Sequence, residues 1–535
     1  MDKAGEDIYH NADNTINMPL SSSLEENKRN IDILFKDCAD IVKREIVVDA
    51  KNDFKIYGVY TDGLINRDIL EHYLLTPMFT TKNSDEGDNV TGDDLTELIM
   101  QHFSTTFDVK TVDNMDAMVC GVLSGDTAIF VDGSEKGLVI ATRGWSARGI
   151  GEPADEKNVR GPRDGFTETI RFNTVLVRRR IRDTKLKFKV VSYGTRSRTD
   201  VVISYIEDIA RPELVEEIQK RLDKYVIDAV LDSGYIEQLI EDSWKSPFPQ
   251  TQVTERPDKF AASLLEGKVG ILVDNSPFGI IVPTTLNAFY QASEDYYQRW
   301  QIMSFTRILR YLVSLLSFTL PGLYIALLNF QPEIIPTSFA ISIAVSRANI
   351  TFSTVTEIII VEIIFELFRE AGIRAPGAIG HVVSLVGGLV IGQAAVDANI
   401  ISPMILIIVA FTSICTFAIP GYSLTSAIRL VRYLFIILSA TFGLYGFFMA
   451  FILLLAHLSS LESFGIPYLS PYNISDRNQS SDIKDTVLRF PIFMQTRRPI
   501  FSRRTQRTRL RLNKSANPKD VTPGPSSQAT NKTKK

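Results

Sequence analysis

From Ile308 to His457 the chain is dominated by apolar runs, whereas the roughly 300 residues before them mix apolar and charged positions throughout. A bilayer core needs about 20 apolar residues per helical crossing. Ile308–Phe330, Ala378–Val396, Pro403–Ile419 and Tyr433–Leu458 satisfy that need, and Pro321 is expected to kink the first. Pro336–Arg374 is apolar but interrupted, with Glu357, Glu362 and Glu366 along one side of a helix. Acids on such a helix lie at an interface or turn toward water inside a bundle, which makes these three candidates for a pore. Arg299, Arg307 and Arg310 precede the first span and a basic tail follows the last. Both ends are therefore expected in the cytosol, with an even number of crossings. Four spans fit but leave Arg429 and Arg432 outside, so the charges alone leave the count at four or more.

The soluble region carries an internal duplication. Leu123–Gly137 aligns without gaps to Leu265–Gly279 as L-x-G-x-x-x-I-x-V-D-x-S-x-x-G, and Lys55–Tyr60 with its following helix resembles Val201–Ile206 with its own. Each copy predicts a strand, helices and a hairpin turning at Asp132-Gly133 or Asp274-Asn275, pairs that suit tight turns. Turn chemistry accounts for the two aspartates better than a catalytic carboxylate pair does. Pro212 suits the first turn of a helix presenting Leu214, Ile218, Leu222 and Tyr225 on one face. The expected architecture is two tandem duplicated α/β soluble subdomains followed by a polytopic α-helical membrane domain. Its parts are a disordered lead (1–28), subdomain 1 (29–145), subdomain 2 (146–298), the membrane domain (299–472) and a basic C-terminal tail, partly disordered (473–535).

Charge divides the chain again. Arg497–Lys535 holds 12 Lys/Arg against Asp520, leaving 46 basic and 61 acidic residues, a net charge of −15, on the remainder. Such a tail is expected to lie against anionic lipid. Cys38, Cys120 and Cys415 show no paired spacing, which predicts a reducing compartment for the soluble part, and the polar N-terminus predicts no cleavable signal peptide, so that insertion relies on the internal apolar segments. No phosphate-binding loop, dinucleotide fingerprint or nucleophile elbow occurs, and the five histidines lack metal-ligand spacing. Neither an enzyme, a cofactor, a metal nor a nucleic-acid partner is expected. Arg160, Arg163, Arg178, Arg179, Arg180 and Arg182 form a basic stretch between the copies. It suits a phosphate, a lipid headgroup or an acidic partner, and equally an interdomain salt-bridge cluster.

After Pro376, Gly380, Ser384, Gly388 and Gly392 recur every fourth residue, a spacing that lets helices approach closely in lipid. Ile379, Val382, Val383 and Val386 occupy the opposite face. In an oligomeric ring they would form an apolar constriction that closes by dewetting.

Several longer motifs carry a family resemblance: Arg160-Gly-Pro-Arg-Asp-Gly-Phe166, Arg178-Arg-Arg-Ile-Arg182, Thr254-Glu-Arg-Pro-Asp258, Ser293-Glu-Asp-Tyr-Tyr297, Arg369-Glu-Ala-Gly-Ile-Arg374, Ile391-Gly-Gln-Ala-Ala-Val396 and Phe464-Gly-Ile-Pro-Tyr-Leu-Ser-Pro471. In this order they resemble the A subunits of the GerA-type spore germination receptors, from about Ile31 to Tyr472. The resemblance implies a multi-pass protein of the spore inner membrane, with its soluble domain and tail in the spore core. It implies a homo-oligomeric, ion-releasing channel subunit working with a transporter-like B subunit that senses the nutrient and a lipoprotein C subunit. A SpoVAF-type paralogue shares the same plan. A secondary transporter and a membrane-anchored signalling scaffold are the readings from other classes.

Overall fold

The structure is a computed structural model that describes residues 16, 18–49, 54–66, 93, 96, 97, 100, 108–144, 151–153, 156–374, 392–472 and 482–510. Subdomain 1 comprises α1 (Leu24–Leu34), β1 (Ile41–Asp49), β2 (Phe54–Thr61), β3 (Val109–Val112), α2 (Met115–Ser124), β4 (Thr127–Val131) and β5 (Gly137–Ile140). Subdomain 2 comprises α3 (Ile170–Arg178), β6 (Leu186–Tyr193), β7 (Thr199–Ile206), α4 (Pro212–Asp223), α5 (Ser233–Ile240), β8 (Gln252–Thr254), α6 (Pro257–Leu265), β9 (Val269–Val273) and β10 (Gly279–Val282). The sheets run β1-β2-β4-β5-β3 and β6-β7-β9-β10-β8, the same order in both copies, with every pairing antiparallel.

The turn aspartates do more than turn the chain. Asp132 Oδ1 accepts the N–H of Leu24 at 3.3 Å, and Asp274 Oδ1 accepts that of Ile170 at 3.1 Å, so each hairpin caps the first helix of its own copy. Asn27 and Asn173 repeat a second device. Each exchanges two hydrogen bonds with the backbone six residues earlier, at Ser21 and Thr167. Orphan N–H groups at helix starts need such acceptors. β4, β5, β9 and β10 are buried along their whole length, which is why they read as continuous apolar runs. In subdomain 2, Leu176, Phe260 and Leu264 pack on one face of the sheet, while Ile218, Leu222, Ile236 and Ile240 cover the other. Ile16, Leu20 and Leu24, which fall within the expected lead (1–28), are buried in the subdomain 1 core.

Two 3₁₀ turns, Leu286–Phe289 and Ser293–Tyr296, lead into α7 (Trp300–Phe330). Then follow α8 (Thr337–Arg347), α9 (Thr354–Arg374), α10 (Gly392–Asp397), α11 (Pro403–Phe417) and α12 (Tyr422–Ser460). Among the described residues α7 and α12 are long and apolar enough to cross a membrane. α7 continues through Pro321.

α12 is not one straight rod. Gly443 has φ 62° and ψ −139°. Rings that a continuous helix would hold about 18 Å apart (12 residues at 1.5 Å) lie close together, with the Phe435 and Phe447 centroids separated by 5.5 Å. Phe435 and Phe451 are 6.3 Å apart. The chain therefore reverses at Gly443 into two antiparallel arms. The second arm passes so close that a Cβ on Gly446 would sit 1.9 Å from the Leu438 carbonyl oxygen. The expectation of a single span over Tyr433–Leu458 is corrected accordingly.

Contacts fix the direction of each helix. α7 starts at the soluble region, where Tyr290 and Ser314 share a hydroxyl–hydroxyl bond of 2.7 Å, and its far end, Phe330, packs on Gly443. The first arm of α12 runs alongside it, since Gly421 N–H binds the Phe289 carbonyl and the tilted rings of Phe318 and Phe435 lie 5.3 Å apart. The second arm returns to the soluble region, where His457 meets Ser246 at 2.9 Å and Phe464 N–H binds Asp242 at 2.7 Å. α9 begins at the far end, with Thr354 on Asn329, and descends toward Arg429. α11 also begins at the far end and descends, since Ser402 N–H binds Glu357 and Ile419 joins the cluster containing Phe289.

The described part of the tail does not hang free. Residues 482–510 form a strap back onto subdomain 2. Arg503 donates from its backbone to Ile209 O at 2.9 Å and from Nε to Ala210 O at 2.6 Å, and Arg498 Nε donates to Leu265 O at 2.9 Å. Ser502 is fully buried against Gly267, and Lys268 lies 4.7 Å from the centre of the Phe501 ring. For these residues the partner is the protein's own soluble region, where lipid was expected.

Candidate functional site

Glu357, Glu362 and Glu366 of α9 each meet arginine. Glu357, with no exposed surface, accepts from Arg347 of α8 and from the Ser402 N–H, both at 2.9 Å, which ties α8 and the start of α11 to α9. Glu362 takes both its oxygens to Arg432 Nη1 at 2.7 and 2.9 Å, and these side chains are 6% and 2% exposed. Glu366 pairs with Arg429 and lies 3.3 Å from Arg369. Charges buried among apolar helices are tolerated when paired, and removing one partner strands the other. The three acids therefore act first as braces between helices.

Of the other gate and packing candidates, Ile379, Gly380, Val382, Val383, Ser384, Val386 and Gly388 lie outside the described residues. Gly392 is placed beside Leu406, to which a Cβ would come within 3.4 Å, consistent with close approach of helices at this position.

A second buried network joins the soluble region to α7 and the strap. Arg307, fully buried, donates to Asp295 and to Asp485, each at 2.7 Å. Arg310 donates to both oxygens of Asp295 at 2.9 Å. Tyr296 OH donates to Asp485 at 2.6 Å, and burial with the neighbouring carboxylate pushes its pKa well up. Arg489 holds the carbonyl of Gln298 at 2.9 Å and faces the Tyr296 ring. The 3₁₀ turn Ser293–Tyr296, the first apolar helix and the C-terminal strap thus meet at one polar joint. Sequence reasoning located Arg307 and Arg310 only as topology signals and missed Asp295 and Asp485, because Asp485 is distant in sequence from its partners. The Ser293–Tyr297 motif was the available clue.

The arginine-rich stretch divides. Arg178 is fully buried and forks onto Asp40 of subdomain 1 at 2.7 and 2.9 Å, with Phe188 beneath it at 4.9 Å. It is an interdomain tie, so its reading as a headgroup or partner contact is corrected. Beside it the Cys38 thiol is pushed up in pKa, first by burial. Arg180 is held by Asp164 at 2.6 and 2.7 Å and by the Leu176 carbonyl. With Arg179 and Arg182 it lines a cavity of about 300 Å³ between the subdomains. Arg160 and Arg163 are exposed, the latter 3.3 Å from Glu152.

The surrounding motif residues have packing roles. Tyr297 lies over Gly161, Pro162 O accepts from the buried Arg256, and Phe166 meets Phe260 edge-on. Arg256 pairs with Asp258, which also accepts from Tyr297 OH at 2.5 Å. These contacts hold Asp258 low in pKa against its burial. Among the described residues no group of His, Cys, Asp and Glu could hold a metal ion.

An antiparallel α/β duplication joined by buried ion pairs to a bundle of apolar helices is the class of molecule these observations define. Residues 29–501 match the family described as Bacillus/Clostridium GerA spore germination protein, and the chain belongs to that family. An uncharacterized membrane protein of Bacillus subtilis (strain 168), YfkQ, is 40% identical over 93% of this chain and 94% of its own length. Spore germination protein KA of the same organism is 37% identical over 90% of this chain and 87% of its own. Spore germination protein GerLA of Bacillus cereus is 38% identical over 86% and 92%. Among solved structures, the N-terminal domain of the A subunit of the Bacillus megaterium spore germinant receptor GerK3 is similar. It is 34% identical with a TM-score of 0.39, covering 49% of this chain and 95% of that one.

Proposed function

We propose that this chain is the A subunit of a spore germinant receptor, and that it assembles into a ring which passes ions when a partner subunit senses nutrient. The observation that carries the reading is the extent of the family match, which runs through both soluble subdomains, the helices and the strap. Transporter-like B and lipoprotein C subunits are its partners in this reading, and the spore inner membrane is its place.

The membrane topology in this reading has six crossings. α7 goes out, α9 returns, α11 returns, and the two arms of α12 go out and back. α9 descends toward the soluble region while Gly392 and Ser402 lie at the far end, so the chain has changed sides once more by Gly392, which makes the count even. An even count keeps the soluble region and the strap on one side and brings Arg429 and Arg432 nearer that side, as the distribution of basic residues favours. The gate is placed at Ile379, Val382, Val383 and Val386, where an apolar ring would exclude water at rest. Glu362 and Glu366 belong to the wall beside it, because arginines already meet their charges.

The test is potassium efflux from spores carrying the receptor at matched abundance. Val383→Ala should leak without nutrient, and the same change at Val382 or Val386 should leak to some degree. If none of the three leaks, the gate lies elsewhere. If the purified wild-type complex shows no conductance in a planar bilayer under nutrient, the channel reading itself fails.

A further inference from the structure

One cluster in the helical bundle is left short of negative charge. Glu362 and Glu366 contribute two carboxylates, while Arg369, Arg429 and Arg432 contribute three guanidiniums, an excess of one positive charge. The hydrogen bonding is short in the same sense. Arg432 Nε and Arg429 Nε are buried with no acceptor, and Arg369 Nη1, though 3.3 Å from a Glu366 oxygen, makes no hydrogen bond. Arg432 is 2% exposed, so its spare N–H cannot turn to bulk water.

An unmatched guanidinium among apolar helices is costly, and so is a buried donor without an acceptor. Both deficits are met by one ligand: an anion presenting several oxygens to divergent guanidinium N–H groups, the geometry in which arginine binds phosphate. We propose that the Arg369–Arg429–Arg432 cluster binds a phosphate-type oxyanion, either the headgroup of an anionic phospholipid or free phosphate. The side chain of Glu366 is 46% exposed, so the cluster opens outward there. Around that opening Leu367, Ile414, Phe417 and Leu430 present exposed apolar surface, and Arg369 lies 5.9 Å from the Phe417 ring centre. Apolar surface beside a basic pocket between helices suits a lipid. The bound anion would lock α9, α11 and the first arm of α12 together. The proposal rests on the membrane reading above, but not on ion conduction.

The experiment uses the purified full-length chain in a non-ionic detergent, stripped of lipid, and reads its melting temperature at fixed ionic strength. Two probes are titrated: inorganic phosphate, and phosphatidylglycerol against phosphatidylcholine. The wild type should show a saturable upward shift. A response to phosphate identifies the free anion as sufficient, whereas a response to phosphatidylglycerol alone identifies the lipid. Arg369→Gln leaves two acids facing two guanidiniums. It should melt no lower than wild type without anion and lose the response to both probes, while Arg369→Lys should keep part of it. No shift with either probe overturns the proposal, as does an equal shift in Arg369→Gln. A wild type that ignores both probes but loses stability on dissociating into monomers would assign the missing acceptor to a neighbouring copy, which also overturns it. Labelling that shows the helices outside the membrane would instead overturn the topology, so the two failures are distinguishable.

Discussion

Phe435 and Phe447 lie with ring centroids 5.5 Å apart although 12 residues separate them within one run of helical, almost uninterrupted apolar sequence. That proximity requires the chain to fold back at Gly443, and it decides on which side of the membrane the C-terminal strap emerges. The reversal also explains two glycines that otherwise look incidental. Gly443 adopts a positive φ that few other residues tolerate, and Gly446 lets the returning arm touch the Leu438 carbonyl.

Substitution at the reversal should therefore be costly without touching any gate. Gly443→Ala is expected to lose about 1–3 kcal/mol from backbone strain, and its Cβ would meet the Phe330 ring at 2.7 Å. Gly446→Leu should be worse, because the group it meets is backbone that cannot rotate away. Immunoblots of membranes should show reduced abundance for both, with Gly446→Leu the lower. Wild-type levels for both would mean that the two arms are not packed as described.

The Asp40–Arg178 pair should behave as a structural tie. Arg178→Ala leaves Asp40 buried without its partner and is expected to cost about 3–5 kcal/mol, whereas changing both residues to well-packed apolar ones should cost less. The check is a double-mutant cycle on the melting of the full chain. Additive losses would show that the two charges do not interact.

Much of the soluble fold was legible in the sequence, and for a physical reason. The duplicated hairpins carry their turn residues in the chain itself, so Asp132-Gly133 and Asp274-Asn275 announced both copies. Their second role, capping α1 and α3, was hidden because the capped N–H groups lie more than 100 residues away. The charged seam was half visible. Glu362 and Glu366 stood out four residues apart, and Arg429 and Arg432, three apart, were noticed only as a difficulty for the topology. Pairing them would have turned α9 toward the soluble side. The turn at Gly443 had no polar break to mark it, since Gly443 and Gly446 make the reversal with small residues alone. The docking of the strap was masked by its charge, which suggested lipid while Arg498 and Arg503 use their donors on backbone carbonyls.

Subdomain 2 should soften as pH rises through the mildly acidic range. Burial, helped by neighbouring Glu237, pushes the Glu241 carboxyl up to about 7, above its ordinary value of 4.5. A carboxyl whose folded pKa is raised favours the folded state while protonated, so its contribution is full below about 4.5 and is lost as pH climbs through about 7. Glu241→Gln should flatten this part of the profile of melting temperature against pH. The Phe464–Asp242 bond lies next to it, so hydrogen exchange at Phe464 reports the same change locally. A variant whose profile matches wild type between pH 5 and 8 would remove Glu241 as the source.

The strap should steady the start of α7 through Asp485. Asp485→Asn keeps the shape but weakens its hold on Arg307 and Tyr296, and should raise hydrogen exchange over residues 300–310 more than over 320–330. Gly267→Ala, with φ +94° and the Ser502 backbone 2.6 Å from the new Cβ, should loosen the same strap from its other end. Exchange unchanged across α7 in both variants would show that the strap merely rests on the soluble region.

The fold-back at Gly443 is tested most directly by two single cysteines in a chain whose Cys38, Cys120 and Cys415 are replaced by serine. Tyr445→Cys sits at the turn, where the native side chain is 83% exposed, and Thr508→Cys sits in the strap. Membrane-impermeant maleimide added to sealed vesicles with the soluble region inside should label Tyr445→Cys and leave Thr508→Cys unlabelled until the membrane is opened. Labelling of Thr508→Cys in intact vesicles, with Tyr445→Cys protected, would show that Tyr422–Ser460 crosses once as a straight helix and would contradict this account.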